Sequence, residues 1–441
     1  MSFPRYENYK DSGIEWLGEV PGHWEVKRLK HNLQLLTEKT DRREHPVGLE
    51  NIESWSGRFV ETETKFEGEG VAFKCGDILF GKLRPYLAKA YLAETTGEAV
   101  GDFHVLRPAA EIDGRFAQYQ ILNRDFIAIV DGSTFGAKMP RAGWDFLGNM
   151  ALATPPKVEQ SVISTFLDFE TAQIDALIAE QQKLIALLKE KRQAVISQAV
   201  TKGLDPTVPM KDSGIEWLGK VPEHWIGPMK LISLAEKKRN SFVNGPFGSD
   251  LLANELTQEG VPVIYIRDLK QNGYLRVSEV CVTEDKAKQI CFCNVMNGDV
   301  LVAKVGDPPG LAVLYPDSEP EAVVTQDVIR IRANREVILP NYLCSLLNSD
   351  IGRICIDNIS VESTRTRIGL GDYKQVRLVI PSITEQISIA SFLDNETAKI
   401  DELIAEAQCG IELLKERRSA LISAAVTGKI DVRGWTPPEA V

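Results

Sequence analysis

The sequence lacks any apolar run close to the roughly 18 residues that a membrane-spanning helix needs. Its first residues, Met1 to Glu7, also lack the apolar core of a secretory signal peptide. With 44% hydrophobic and 26% charged residues, the 441-residue chain has the composition of a folded protein with two or three cores. We therefore expect a cytoplasmic protein that has no contact with membranes.

Cysteine and histidine are scarce, and their placement argues against a metal site. The seven cysteines are scattered, and only Cys291 and Cys293 lie close together, with no second ligand pair at zinc spacing. We expect reduced thiols that pack as small apolar side chains. Of the five histidines, His23 and His224 each precede a tryptophan, and we interpret both as packing residues rather than bases or ligands.

Motifs for enzymatic chemistry on DNA are missing as well. A free-standing adenine methyltransferase needs a glycine-rich cofactor loop and an Asn/Asp-Pro-Pro-aromatic motif. The nearest segment, Asp307 to Gly310, places glycine where the aromatic ring would stack on a flipped base. No P-loop of a helicase and no carboxylate–lysine cluster of a nuclease is present. The chain is therefore expected to be non-catalytic and to hold no cofactor of its own.

Positive charge is also in deficit, since the net charge is −11. Such a balance argues against a protein that binds nucleic acid alone, because phosphate neutralisation needs a basic surface. Charge can be segregated, however, and an average can hide a local basic face. The composition fits a protein that shares its DNA contact with a more basic partner.

What the sequence does contain is an internal repeat. The segment from Asp11 to Gly18 recurs unchanged from Asp212 to Gly219, and the similarity of these two Trp straps continues to the tryptophan that follows each histidine. A second segment, Phe166 to Thr201, recurs at Phe392 to Thr427. The roughly 150 residues between each strap and its repeated segment match hardly at all. One frame with two divergent inserts indicates a scaffold that presents two separate recognition surfaces.

Turn residues in the straps predict a loop or short turns rather than a helix. Each insert mixes short β-type runs with helical stretches, which predicts an α+β fold. The predicted strands are Gly76–Phe80, Asp102–Leu106, Val261–Ile266, Gly298–Val302 and Val328–Ile331, and the predicted helices are Phe116–Val130 and Asn341–Ile356.

Each repeated segment predicts a long helix that begins near Pro156 or its counterpart and ends at Gly203 or Gly428. A break or a new helix cap is predicted from Asp168 to Thr171. From Thr171 to Thr201 such a helix would span about 46 Å, and a compact domain cannot bury so long a stripe. We expect the two helices to pack side by side and to bind partner subunits. The apolar stripes comprise Ile174, Ile178, Ile185, Leu188 and Val195, with Ile400, Ile404, Ile411, Leu414 and Leu421.

Loops that combine basic, hydroxyl and aromatic residues are the candidates for contact with DNA. For any single residue an ordinary solvated loop is an equally good explanation, but such loops occur in both inserts. The basic runs from Lys189 and Lys415 we interpret instead as solvated helix faces. The candidates are Lys82, Arg84, Tyr86, Lys89, Ser133, Thr134, Lys138 and Arg141 in the first insert, and Asn244, Phe247, Ser249, Arg267, Lys304, Thr364, Arg365 and Arg367 in the second.

With these motifs in duplicate and in order, the sequence resembles the specificity subunit of type I restriction–modification systems over nearly its whole length. The motifs that carry the resemblance are the two Trp straps, Gly76–Phe80 with Lys82–Tyr86, Gly245–Ser249, Gly298–Leu301, and the pairs Glu159-Gln160 and Glu385-Gln386 at the heads of the long helices.

The resemblance implies two α/β target-recognition domains separated by two long antiparallel helices, related by a pseudo-two-fold repeat. It implies recognition domains at residues 1–156 and 204–382, helical regions at 157–203 and 383–430, and a tail at 431–441. Each recognition domain would read one half of a bipartite site in double-stranded DNA, and the helices would fix the spacer. Two methyltransferase subunits, which hold S-adenosylmethionine, and restriction subunits would complete the complex.

Two other classes of function stay open. The same frame could serve as the adaptor of a modification or phage-defence system without a nuclease, which genomic neighbours would reveal. A structural coiled-coil protein, with inserts that merely decorate a dimerising helix, would have no affinity for DNA even with its partners.

Overall fold

The computed structural model describes residues 3–41, 45–63, 68–134, 138–246, 250–306, 309–361 and 366–437. The chain divides into two compact units. Unit 1 comprises the residues up to Lys183 and those from Ala407 onward, and unit 2 runs from Leu184 to Glu406. Each unit therefore contains one Trp strap, one insert and a part of each long helix.

Unit 1 is a mixed α and β structure. Its helices are Leu29–Asn32, Gly114–Ile121, Arg124–Gly132 and Trp144–Leu147, with 3-10 turns at Leu49–Asn51 and Pro85–Leu87. Its strands are Tyr9–Asp11, Glu19–Pro21, Glu25–Arg28, Leu33–Leu36, Lys39–Thr40, Pro46–Val47, Gly70–Phe73, Ile78–Gly81, Ala90–Leu92, Gly97–Val100, Phe103–Pro108 and Ala151–Thr154.

Unit 2 has the same mixture. Its helices are Glu284–Gln289, Pro340–Asn348, Asp350–Ile359 and Leu370–Gln375, with 3-10 turns at Leu231–Leu234, Ala253–Glu255, Ile266–Asp268 and Cys291–Cys293. Its strands are Met210–Asp212, Lys220–Pro222, Ile226–Lys230, Phe242–Asn244, Leu256–Thr257, Val261–Ile264, Leu269–Lys270, Gly273–Tyr274, Cys281–Val282, Asn294–Val295, Val300–Ala303, Ala312–Leu314, Ala322–Val324, Val328–Ile331, Ser360–Val361, Arg367–Ile368 and Arg377–Ile380.

Both inserts contain the same four-stranded antiparallel sheet. In unit 1, Ile78–Gly81 lies between Phe103–Pro108 and Ala90–Leu92, and Val300–Ala303 takes the corresponding place in unit 2. Ile78 packs into one apolar cluster and Leu79 into another. Because alternate residues of a strand point to opposite faces, this strand is covered on both sides. Its continuous apolar run has that physical cause, and the α+β prediction is confirmed.

The Trp straps form short hairpins, as their turn residues predicted. Tyr9–Asp11 pairs antiparallel with Glu19–Pro21, and Met210–Asp212 pairs in the same register with Lys220–Pro222. The tryptophan that follows each hairpin is completely buried in the core of its own unit.

The two long helices are Lys157–Lys202 and Ile383–Val426. In unit 1, Arg418 of the second helix pairs with Asp175 of the first at 3.1 Å. In unit 2, Arg192 of the first pairs with Asp401 of the second at 3.0 Å. These are equivalent residues of the repeat in exchanged helices, so the helices pack antiparallel. The prediction of paired antiparallel helices is confirmed.

The predicted break between Asp168 and Thr171 is wrong, because the first helix continues through it. The Thr171 hydroxyl donates to the carbonyl of Leu167 one turn earlier (2.6 Å). Asp168, which has the local character of a cap, instead accepts from Arg115 and Tyr119 of the insert. These contacts, distant in sequence, outweigh the local preference for a helix start.

The two helices predicted in the inserts are each divided in two by a capping residue. The Asn123 side chain accepts from the backbone N–H groups of Asp125 and Phe126, and Ser349 accepts from that of Gly352. Such side-chain acceptors satisfy the first backbone donors of a new helix.

The described part of the chain includes no helix that combines the length and hydropathy of a membrane span. Within the same residues, no group of three or more His, Cys, Asp or Glu side chains is arranged to hold a metal ion.

Candidate nucleic-acid interface

A buried carboxylate at the head of the first long helix ties the first Trp strap to that helix. Glu159 accepts hydrogen bonds from Tyr6 Oη (2.6 Å) and from Trp24 Nε1 (3.0 Å), and His23 Nε2 lies 2.8 Å from its other oxygen. Burial and the bond to Glu159 raise the pKa of Tyr6, so this phenol stays protonated and donates. The strap is fixed by polar contacts as well as by packing.

Unit 2 repeats this arrangement with one donor fewer. Trp225 Nε1 donates to Glu385 Oε1 at 3.0 Å, and His224 Nε2 lies 2.8 Å from Glu385 Oε2. No tyrosine takes the place of Tyr6 among the described contacts of Glu385. His23 and His224, interpreted as packing residues rather than bases or ligands, each make a polar contact with a glutamate in addition.

The glutamine after each glutamate holds the insert through main-chain atoms alone. Gln160 Oε1 accepts from the N–H of Asp113 (2.8 Å), and its Nε2 donates to the carbonyl of Glu111 (3.2 Å). Gln386 does the same with the N–H of Leu339 and the carbonyl of Val337. Both glutamines are fully buried, so each insert is fixed at an equivalent point of its helix.

The strand that ends at Gly81 leads directly into the first predicted DNA-facing loop. The N–H of Lys82 donates to the carbonyl of Asp102, and the carbonyl of Lys82 accepts from Ala142. Arg141 grips the Asp102 carboxylate with Nε (3.1 Å) and Nη2 (2.9 Å), and Lys82 Nζ lies 3.8 Å from it. Two residues predicted from distant loops, Lys82 and Arg141, thus lie beside one carboxylate.

Unit 2 contains the equivalent cluster. The N–H of Lys304 donates to the carbonyl of Asp327, and the carbonyl of Lys304 accepts from Ile368. Arg367 Nη2 lies 3.5 Å from Asp327 Oδ1. Burial, and next the nearby Arg367, lower the pKa of Lys304. The pairing of Lys82 with Arg141 therefore recurs as Lys304 with Arg367 across the repeat.

Arg84 and Tyr86 extend this cluster in unit 1. Arg84 has a left-handed backbone (φ 51°), and its N–H donates to the carbonyl of Pro140, which joins the two loops. Both side chains are exposed, and the Arg84 guanidinium has no hydrogen bond or ion pair among the described residues. Lys138 is exposed in the same pair of loops. An exposed, uncommitted guanidinium beside an aromatic ring suits contact with phosphates or base edges.

Other predicted residues have their polar groups engaged within the fold. Lys89 Nζ donates to the carbonyl of Leu49 (2.6 Å), and Ser133 and Thr134 donate to carbonyls at the end of a helix. Asn244 Nδ2 donates to the carbonyl of Gly245 (3.0 Å) and to that of Gln326 (3.4 Å). Arg267 is exposed but donates to Ser278 and lies over the ring of Tyr265. Four further candidates, Phe247, Ser249, Thr364 and Arg365, lie outside the described residues.

The two aspartates at the centres of these clusters, Asp102 and Asp327, were not foreseen. Each stands immediately before a buried strand, at Phe103 and Val328. An acidic residue at the same place in both inserts was the available signal, but pairing with a loop some 40 positions away depends on strand register, which the sequence alone does not give.

The apolar stripes of the long helices lie mostly in the seam, which is the contact between the two helices, or against the rest of the unit that contains them. Of the predicted residues, Ile174, Ile185, Leu188, Ile400 and Ile411 are buried, and Ile178, Val195, Ile404, Leu414 and Leu421 are half-buried. A different set of leucines is exposed: Leu177 and Leu413 in unit 1, and Leu184, Leu187 and Leu403 in unit 2. Leu177 is equivalent to Leu403 in the repeat, and Leu187 to Leu413.

Comparisons with known proteins agree with this architecture. The EcoBI specificity subunit of a type I restriction enzyme from Escherichia coli is 22% identical over 314 residues, which cover 69% of this chain and 64% of that protein. The putative MjaX specificity subunit from Methanocaldococcus jannaschii is 22% identical over 459 residues, which cover 98% and 99%. The chain therefore spans less than two thirds of the first relative and nearly all of the second. No protein-family model matches the chain.

Two solved structures share the fold. A chain from a study of complex assembly and conformational transition of the type I R-M system superposes with a TM-score of 0.71 at 16% identity, covering 92% of this chain and 98% of that one. The HsdS subunit from Thermoanaerobacter tengcongensis gives 0.51 at 16% identity, with 93% and 98% covered. The resemblance to type I specificity subunits is confirmed, since both sequence relatives carry that name and the chain shares its fold with the two solved structures.

Proposed function

We propose that this chain is the specificity subunit of a type I restriction–modification system, and that each insert reads one half of a bipartite site in double-stranded DNA. One observation carries the proposal: a basic cluster, Lys82 with Arg141 and Lys304 with Arg367, recurs at equivalent points of two inserts that share a sheet but differ in sequence. A duplicated frame with divergent surfaces suits recognition of two unrelated half-sites better than it suits a single catalytic centre.

The aspartates give these clusters a specific physical role. Asp102 engages Nε and Nη2 of Arg141, which fixes the plane of the guanidinium and leaves its remaining donors for a ligand. The side chain of Arg141 is about half exposed. An arginine held in this way loses less side-chain entropy when it contacts a guanine edge or a phosphate. The free guanidinium of Arg84 would add a contact in the first half-site.

Residues 1–156 and 204–382 are the recognition domains of this proposal. Residues 157–203 and 383–430 are the helical regions that fix the spacer between half-sites, and residues 431–441 are a tail. The chain itself carries out no catalysis and acts in the cytoplasm. Removing one heptad from each helix should shorten the spacer in the recognised sequence, and an unchanged spacer would refute this role of the helices.

The partners are two methyltransferase subunits, which supply S-adenosylmethionine chemistry, and restriction subunits in the complete enzyme. The net charge of −11 favours such sharing, because partners then provide much of the phosphate neutralisation. We assign the docking of methyltransferase subunits to the exposed leucines, Leu177 with Leu413 and Leu187 with Leu403, rather than to the stripes buried in the seam.

The decisive experiment maps N6-methyladenine across the genome of a host that expresses the neighbouring methyltransferase with and without this chain. A split motif that appears only with this chain supports the proposal and reveals both half-sites. No motif from an intact, co-purifying complex would favour an adaptor role. Absence of any affinity for DNA from the complex would favour a structural coiled-coil protein.

A further inference from the structure

A strained hairpin lies beside the 3-10 turn Pro85–Leu87 of unit 1, which Arg84 precedes. Ile52 and Phe59 pair antiparallel, and the N–H of Glu53 donates to the carbonyl of Arg58 (2.9 Å), which places Trp55 at the tip. Trp55 has a left-handed backbone with φ 66°. Such a conformation is an outlier for a bulky side chain, whereas glycine adopts it freely.

The strain is concentrated at this place. Among the described residues other than glycine, four have positive φ: Trp55, Arg84, Ala88 and Asn240. The first three belong to a single contact, because the N–H of Trp55 donates to the carbonyl of Ala88, at the end of the turn that Arg84 begins (3.1 Å). Strain of this kind persists where the surroundings enforce it, and it clusters at functional sites.

The main chain of Trp55 is held on its other side by the long helices. Arg418 Nη1 donates to the Trp55 carbonyl (3.0 Å) while its Nε pairs with Asp175 (3.1 Å). Arg58 of the same hairpin also pairs with Asp175. Gly57 lies so close to the next strand that a Cβ there would stand 2.1 Å from the carbonyl oxygen of Ala90. The tip is therefore a rigid mount for its side chain.

This mount leaves an aromatic ring accessible. Trp55 keeps 38% of its surface exposed, and Tyr86, in the turn joined to it by the hydrogen bond to Ala88, keeps 45%. The neighbouring Phe59 is 45% exposed as well, and its ring lies against Tyr91, with centroids 5.7 Å apart. The exposed guanidinium of Arg84 supplies positive charge two residues before Tyr86, at the start of the same turn. Rigid aromatic side chains next to arginine are the elements on which proteins stack nucleobases.

We propose that Trp55 and Tyr86 form a stacking site for an unstacked nucleobase of the target DNA in the half-site that unit 1 reads. This inference rests on the proposed function. Unit 2 would lack the site, since the segment Gly306 to Gly310, which follows the equivalent strand, contains no aromatic residue. Beside the 3-10 turn Ile266–Asp268 of unit 2, the exposed large apolar side chains are the aliphatic Leu275 and Val277. The DNA distortion is therefore confined to one half-site.

The test uses the complex of the full chain with its methyltransferase subunits and a duplex that contains the mapped target. Trp55→Gly removes the ring and relieves the left-handed strain, so we expect an unchanged or higher melting temperature. The same variant should weaken specific binding about 10- to 100-fold, and Trp55→Phe should retain most of the affinity. Asn240→Gly, which relieves the same kind of strain in unit 2, is the matched control and should leave DNA affinity unchanged.

A second readout uses 5-iodouracil at each thymine of the half-site, with cross-linked peptides identified by mass spectrometry. A cross-link to Trp55 or Tyr86 supports the stacking site. Specific binding that is equal for the wild type and Trp55→Gly, without such a cross-link, overturns this inference and leaves the proposed function intact. A fall in the melting temperature of Trp55→Gly would identify the ring as a packing residue and would also overturn it. Absence of specific binding by the wild-type complex would instead refute the proposed function.

Discussion

Glu159 and Glu385 are equivalent residues of the repeat, so the same substitution can be compared at two positions of one molecule. Glu159→Ala leaves Tyr6 Oη and Trp24 Nε1 without their acceptor, and both groups are buried. Glu385→Ala leaves only Trp225 Nε1 in that condition. In both units the histidine can turn to water, because 42% of the His23 side chain and 51% of that of His224 are exposed.

The expected magnitudes follow from the number of buried donors. A buried donor that loses its partner costs about 1–3 kcal/mol. We therefore expect Glu159→Ala to destabilise unit 1 by about 2–6 kcal/mol and Glu385→Ala to destabilise unit 2 by about 1–3 kcal/mol. In a Tyr6→Phe background the cost of Glu159→Ala should fall to that of Glu385→Ala, since the additional donor is then absent.

Hydrogen exchange of the full chain, followed by mass spectrometry, measures the two units separately. Peptides from the buried strands Phe103–Pro108 and Val328–Ile331 report the opening of unit 1 and unit 2, and each tenfold faster exchange corresponds to about 1.4 kcal/mol. Equal losses for the two substitutions, or a larger loss for Glu385→Ala, would refute the reasoning. The reasoning would also be refuted if Glu159→Ala destabilised unit 1 equally in the wild-type and in the Tyr6→Phe background.

Four further predictions follow from the same structure. Arg84→Ala should weaken specific DNA binding of the assembled complex in mobility-shift assays and leave co-purification of the subunits unchanged, and lost assembly would instead make Arg84 structural. Leu187→Glu with Leu413→Glu should abolish co-purification of the methyltransferase subunit without lowering the melting temperature, whereas Leu314→Glu, an exposed site in a sheet, is the matched control. Arg418→Ala should destabilise unit 1 by about 2–3 kcal/mol, because the ion pair of Arg418 is largely buried. Arg192→Ala removes an exposed ion pair and should destabilise unit 2 by only about 0.5 kcal/mol, and hydrogen exchange measures both losses. Burial raises the pKa of Cys293 to about 11 and the pKa of Cys344 and Cys355 to about 12. Because the folded state favours the neutral thiols, their contribution to the free energy of unfolding is complete below the unfolded pKa of about 9 and is lost above it. The urea midpoint of unit 2 should therefore fall between about pH 9 and 11 and stay constant between about pH 6 and 8.

The frame was predictable because its signals are local or repeated. Apolar residues at three- and four-residue steps predicted the long helices, and glycines in the straps predicted turns rather than a helix. The continuity of the helix through Asp168 was not predicted, because Arg115 and Tyr119, which bind that carboxylate, lie about 50 positions away in the sequence. The preference of a residue for a helix cap can be predicted from its neighbours in sequence. The tertiary contacts that override this preference cannot.

The candidate interface was predictable to a smaller extent. Residue type and duplication indicated Lys82, Arg141, Lys304 and Arg367, and the fold brings each lysine near its arginine. No pattern in the sequence distinguishes these four residues from Lys89 or Asn244, whose polar groups form hydrogen bonds within the fold. Nor did it indicate Trp55, because a left-handed backbone at a tryptophan leaves no pattern in the sequence.

The two buried glutamines have a consequence for how such a protein changes over generations. Gln160 and Gln386 contact only the peptide groups of their inserts, at Asp113 in one case and Leu339 in the other. Every amino acid except proline offers the same N–H, so the attachment places almost no demand on the inserted sequence. Recombination at the repeated strap and helix can therefore exchange an insert, and the hybrid keeps this attachment point. Under the proposed function, such an exchange gives the protein a new DNA target in a single genetic event, without a series of non-functional intermediates.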